Sequence, residues 1–137
     1  MRSLVRRFQE ADASLTRVIL FGSLARDELE GADWSIPYAG QPYFVSEFGG
    51  IKWNPASADS LESWGYGDSP NTLDEFYDRF ERLCAALLGN PGMFGYCYTQ
   101  LTDVFQEQNG IYNFDRSEKF DTNRIRAAQG KKAAIEE

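Results

Sequence analysis

Pro42-Tyr43-Phe44-Val45-Ser46-Glu47-Phe48-Gly49-Gly50 is the stretch on which the fold turns. Residues 42–46 are a short apolar run bounded by turn formers, the pattern of a buried strand. The run ends at Glu47-Phe48, and the paired glycines behind it let the backbone turn closely. A carboxylate therefore stands where a strand gives way to a loop.

Downstream, residues 51–70 read as a long loop carrying Trp53, Trp64 and Tyr66 among Asn, Ser, Asp, Gly and Pro. Loops of this length are usually functional or disordered. Thr72-Leu73-Asp74-Glu75 has the capping-box pattern, Thr at the N-cap and Glu at N3. The helix that follows places Phe76, Phe80, Leu83, Leu87 and Leu88 on one stripe, widened by Tyr77 and Cys84. Gly89 suits the position after the helix, and Pro91 stops it. Residues 93–98 read as another buried strand, residues 99–116 as a second loop and residues 121–129 as a terminal helix. Residues 131–137 are expected to be a frayed tail. The order from Pro42 is strand, loop, helix, strand, loop, helix. Two βα units in series imply parallel strands with covering helices.

Upstream, Leu4, Val5, Phe8 and Ala11 recur at helical spacing over residues 3–13. Residues 17–21 read as a short buried strand stopped by Gly22-Ser23. Residues 24–36 are acidic and weakly patterned, and residues 37–42 read as a linker.

The 137 residues suffice for one ordinary domain, and 42% hydrophobic with 26% charged residues is a globular composition. Aromatic residues make up 15%, suiting a large core or a carbohydrate-facing cleft. A net charge of -7 argues against a nucleic-acid partner, whose phosphates need Lys and Arg. It gives no reason to expect an anionic membrane, and no apolar run approaches the ~20 residues of a span. Arg2, Arg6 and Arg7 are followed by no apolar signal region, so the expected location is cytoplasmic. Cys84 and Cys97 lie in apolar stretches and are expected as buried free thiols. The sequence has no His, which removes imidazole chemistry and His-ligated metals. Catalysis then falls to carboxylates, Tyr, Lys, Ser or Cys.

In βα proteins, sites gather where strands end. Glu47 occupies such a place, as a nucleophile or acid, or as a surface carboxylate that merely closes the strand. Asp103 reads as a structural pin, because carboxylates at strand ends hold neighbouring loops by hydrogen bonds.

The run from Gly40 through Pro42-Tyr43-Phe44-Val45-Ser46-Glu47-Phe48-Gly49-Gly50 to Ile51 resembles the seventh-strand motif of glycoside hydrolase family 2, the β-galactosidases, β-glucuronidases and β-mannosidases. Ser63-Trp64-Gly65-Tyr66-Gly67 matches a loop of one bacterial branch. Gly95-Tyr96-Cys97-Tyr98-Thr99-Gln100-Leu101-Thr102-Asp103-Val104 resembles its eighth strand, continued by Gln106-Glu107-Gln108-Asn109-Gly110-Ile111-Tyr112 and Phe114-Asp115-Arg116. The motifs run in order over roughly residues 38–130.

The resemblance implies an α/β fold: a partial (β/α)8 barrel, its last two βα units, preceded by a short helix–strand segment. Residues 37–137 would be the C-terminal fragment of the catalytic barrel and residues 1–36 a segment of other origin. It implies retaining hydrolysis of a β-glycoside by two carboxyl groups about 5 Å apart, with no cofactor and no metal. Glu47 takes the nucleophile's place. Tyr98 and Gln100 would wall the sugar subsite. Trp53 would stack on a sugar ring; Trp64 would either stack or anchor the loop.

The family's acid/base Glu follows an Asn on the fourth strand, and no Asn of this sequence precedes a Glu. General acid catalysis contributes ~100- to 10,000-fold, so this polypeptide is expected to hydrolyse little. The other expectation of the same segment is a non-catalytic carbohydrate-binding or barrel-completing module. Two βα units also leave an open sheet edge, which invites homo-oligomers.

Residues 17–26, Arg-Val-Ile-Leu-Phe-Gly-Ser-Leu-Ala-Arg, resemble the opening of small nucleotidyltransferase domains. That family holds Mg²⁺ with two Asp one residue apart. Asp33 fits the first place, but Ser35 occupies the second, so the resemblance reads as coincidence or as a degenerate relic.

Overall fold

The computed structural model describes residues 43–54, 63–66 and 68–137. The helix expected over residues 3–13, the strand over 17–21, the nucleotidyltransferase-like motif and the linker at 37–42 lie outside the described residues. The described elements are β1 (Tyr43–Gly49), α1 (Leu73–Leu88), β2 (Met93–Thr99) and α2 (Thr122–Gln129), followed by a 3-10 turn at Ala134–Glu136. β1 and β2 pair in parallel as a two-stranded sheet, with α1 as the crossover. A parallel pair cannot be closed by a hairpin and needs such a crossover. The described residues form a small α/β unit of two parallel strands and two helices. Among the described residues no helix is long and apolar enough to cross a membrane.

α1 starts as its sequence dictates, with one difference. Thr72 Oγ1 accepts from the Glu75 N–H at 3.1 Å. Glu75 does not return the bond to Thr72; its Oε2 accepts from the Asn71 N–H at 2.7 Å, one residue further back. The same orphan-donor problem is solved with the reciprocal bond displaced by one position. At the other end Gly89 has φ -78° and needs no glycine freedom. Its N–H reaches the Ala85 carbonyl, and Pro91 follows.

The core forms between the sheet and the two helices. Phe76, Phe80, Leu83, Cys84 and Leu87 of α1 meet Val45 and Phe48 of β1, Ile51 just after it, and Phe120, Ile125 and Ala128 from the α2 region. Phe76 and Phe120 stack with centroids 3.9 Å apart. Burying each such ring contributes about 1.5–3 kcal/mol. Asp121 caps α2 by accepting from the Asn123 N–H at 3.0 Å. Its own N–H donates to Tyr77 Oη at 2.7 Å, and Arg124 lies 4.3 Å over the Tyr77 ring, so α2 is tied to α1.

Three expectations are corrected. The strands are not buried on both faces: Phe44 is 46% and Phe94 69% exposed. Cys97, expected to be buried, is exposed, because alternation along β2 turns it away from the core, while Cys84 is a buried free thiol as read. The tail is not frayed throughout, since residues 134–136 close a 3-10 turn beside β2.

Candidate functional site

Glu47 lies within β1, which continues to Gly49 rather than stopping at Ser46. The pairing explains where its side chain goes. Val45 pairs with Tyr96 and Phe48 with Tyr98, so β1 takes three steps where β2 takes two. The extra residue is a bulge at Ser46-Glu47, a device that re-aims side chains next to functional sites. With it, Phe48 follows Val45 into the core although three positions separate them. Glu47 is left half-buried at the strand's carboxyl end.

The turn after Glu47 requires its glycines. Gly49 has φ +86° and Gly50 φ +59°, both in the left-handed region. A Cβ on Gly49 would overlap the Tyr98 ring, and one on Gly50 the Tyr66 ring. Two aromatic rings thus close over a bare backbone.

Tyr66 comes from a strap, residues 63–66 with Asp68, that crosses this turn. Its N–H donates to the Gly50 carbonyl at 2.7 Å, and its phenol O–H donates to Glu47 Oε1. The Trp64 N–H donates to the Gln106 carbonyl at 2.9 Å, and the Gln108 N–H to the Trp64 carbonyl at 3.3 Å. Lys52 Nζ donates to the Ser63 carbonyl at 2.9 Å. From behind, Arg79 of α1 donates to the carbonyls of Tyr66 and Asp68. Burial, then the bond to Glu47, then the charges of Glu47 and Glu107 hold the Tyr66 phenol well above the usual tyrosine range. The phenol therefore stays a donor, poised on a carboxylate.

The end of β2 supplies the opposite wall. Tyr98 lies edge-on to Phe48 and Phe80, with its hydroxyl buried. The Ile51 backbone approaches that hydroxyl but falls short of hydrogen-bond geometry, so the oxygen is unpartnered and burial dominates the upward shift of its pKa. Gln100 donates through Nε2 to the Glu107 carbonyl at 3.4 Å. Asn109 is fully buried and donates through Nδ2 to Glu107 Oε1 at 3.2 Å, while its Oδ1 has no partner. A groove of about 800 Å³ runs along this end of β2 past Tyr98, Gln100, Leu101, Tyr112 and Arg126. Glu47 is not among its walls.

The five residues singled out from sequence divide accordingly. Glu47 meets Tyr66. Trp64, 45% exposed, leans on Tyr66 with ring centroids 6.3 Å apart. Trp53 is half-buried and packed against the core, and its N–H donates to the Gln108 carbonyl at 3.0 Å. Tyr98 and Gln100 share the groove. Asp103 is a pin, as read: it accepts from the Gly110 N–H at 2.8 Å and pairs with Lys119.

Sequence reasoning gives no role to Tyr66, Arg79 or Glu107. Tyr66 sits inside a motif the sequence does expose; Arg79 in an apolar stripe carries a signal, as a charge that packing does not want. Among the described residues no group of three or more His, Cys, Asp or Glu could hold a metal ion. Compared with known proteins, the chain matches no family model and no curated sequence.

Chemically, a half-buried carboxylate with one oxygen held by a phenol can present its other oxygen to an electrophilic carbon or to a sugar hydroxyl.

Proposed function

We propose that residues 38–130 correspond to the last two βα units of a family 2 glycoside hydrolase barrel, in which Glu47 is the nucleophile of retaining hydrolysis. One observation carries the reading. Glu47 stands in a bulge at the carboxyl end of a parallel strand, with the Tyr66 phenol donating to its Oε1. The expected attack forms a bond from Glu47 to the anomeric carbon as the aglycone oxygen leaves with its electron pair. The exposed Trp64 ring and the Gln100 amide are the expected glycone contacts, with Trp53 and Tyr98 supporting them from the core side.

An alkyl aglycone needs a proton as it leaves, and this sequence has no Asn-Glu pair to supply the family's acid. A 2,4-dinitrophenolate needs none. The test is therefore covalent trapping with 2,4-dinitrophenyl 2-deoxy-2-fluoro-β-D-glucoside and its galacto epimer. Mass spectrometry should show one added fluoroglycosyl group, mapped to Glu47 and lost in Glu47→Gln. Label elsewhere, or none with either sugar, would remove the nucleophile reading.

The second reading, a module that completes a sheet with another chain, draws on Phe44 and Phe94 exposed side by side on the sheet.

A further inference from the structure

We propose that Arg79, inside helix α1, is a positioning residue for Glu47 and acts through Tyr66. The inference rests on the reading of Glu47 as a nucleophile, but its geometry is independent of it. Arg79 is 6% exposed and lies on the same face of α1 as Phe76, Phe80 and Leu83. An apolar residue there would cost nothing in desolvation, whereas a buried guanidinium is expensive unless its donors are used. Two of them go to one short segment. Nη1 donates to the Asp68 carbonyl and Nη2 to the Tyr66 carbonyl at 3.3 Å. The rigid guanidinium fork spans two carbonyls two residues apart, which the point charge of Lys does not reproduce.

The strap is then held on three sides. Arg79 grips it from the core, Gly50 accepts the Tyr66 N–H, and Gln106 with Gln108 bracket Trp64. Between these ties the Tyr66 ring lies on the bare Cα of Gly50, and its hydroxyl has Glu47 Oε1 as its acceptor. Glu47 itself has no such brace from α1. Arg79 reaches the carboxylate only by fixing the backbone that carries the phenol. Releasing that backbone removes the donor from Glu47 and with it the restraint on which way the carboxylate points.

Two readouts test the proposal, one of them free of any glycoside. In the full chain labelled with ¹³Cζ-tyrosine, the Tyr66 resonance is identified by its loss in Tyr66→Phe. It should move in Glu47→Gln, and move the same way in Arg79→Lys and Arg79→Gln. In Arg79→Ala, millimolar guanidinium should return it towards the wild-type position. The second readout is trapping with the dinitrophenyl fluoroglycosides. Arg79→Lys should slow the first-order labelling constant about tenfold, with little change in the half-saturating concentration, since misplacement rather than binding is at fault.

A Tyr66 resonance unmoved in a folded Arg79 variant overturns the proposal, and so does a labelling constant equal to that of a wild-type chain that labels. Loss of the fold in both Arg79→Lys and Arg79→Gln, judged by circular dichroism and melting, also overturns it, because Arg79 is then a stability residue alone. A resonance that responds in a chain that never labels retires the nucleophile reading and leaves the positioning intact.

Discussion

Lys119 sets its ammonium against both oxygens of Asp103, at 2.8 and 2.9 Å, with the two side chains 6% and 7% exposed. The third donor goes to the Gln108 carbonyl at 3.1 Å. Asp103 also receives the Gly110 N–H, so the pair closes the loop after β2 on itself. Asp103→Ala would leave a buried ammonium without its counter-charge, at a cost of about 3–5 kcal/mol. Replacing both partners, Asp103→Leu with Lys119→Met, should cost less than the sum of the single changes. Urea denaturation of the four proteins measures this, and additive losses would show that the charges do not depend on each other.

Gly50→Ala puts a side chain into a left-handed position already covered by the Tyr66 ring. Overpacking and backbone strain together should lower stability by about 2 kcal/mol or more. The change also pushes Tyr66 off Glu47, so the Tyr66 ring-carbon signal should shift with the melting temperature. A variant as stable as the wild type would mean that the turn is not as described.

The two thiols should separate cleanly in reactivity. Cys97 is exposed, whereas Cys84 is fully buried and its thiol is pushed up to about 12, chiefly by burial. Thiolate is the reacting species, so an aromatic disulfide reagent should modify Cys97 on the order of a hundredfold faster. Cys84 should react only as the chain unfolds. Equal rates would place Cys84 outside the core.

Alkaline pH should destabilise the fold. Cys84 and the phenols of Tyr66, Tyr96 and Tyr98 are all held above their ordinary values, chiefly by burial. A group whose folded pKa is raised contributes stability that is complete below its unfolded pKa and is lost as pH climbs toward the folded one. For Cys84 that loss begins near 9.0 and for the tyrosines near 10.0. Lys119, lowered by burial, works in the opposite sense, as one group against four. Urea midpoints from pH 7 upward should hold steady and then fall, and Tyr98→Phe should flatten the fall. A midpoint that rises above pH 10 would reverse the sign.

The sheet should draw chains together. Its two strands are parallel, Phe44 and Phe94 are exposed, and parallel sheets are normally covered on both faces. Sedimentation velocity should show association that grows with concentration and weakens in Phe94→Lys. A monomer at all concentrations would show that the exposed phenylalanines do not mediate association.

Much of this architecture is legible in the sequence, because it rests on local rules. Thr72 and the stripe from Phe76 to Leu87 define α1 without reference to any neighbour. Asp121 and Gly130 bracket α2 in the same way. What escapes is whatever depends on a partner. The bulge at Glu47 exists only relative to β2, and no pattern within β1 announces it. Cys97 reads as core because its neighbours are apolar, but its face is decided by alternation along β2. Arg79 reads as an intruder in an apolar stripe until the carbonyls of Tyr66 and Asp68 are seen above it. The place of Glu47 at the end of its strand was legible and its phenol partner was not, since the strap that carries Tyr66 returns to β1 by tertiary bonds alone.

The double use of α1 has a consequence for any attempt to engineer this chain. Cores accept exchange among apolar residues as long as volume and pattern are kept. A library that redesigned the inner face of α1 for packing would replace Arg79 early, since removing a buried charge often stabilises. Its best survivors, ranked by melting temperature or expression, would be well-folded proteins with an untethered strap. Selection for stability alone would erase the site without leaving a mark on the property being selected.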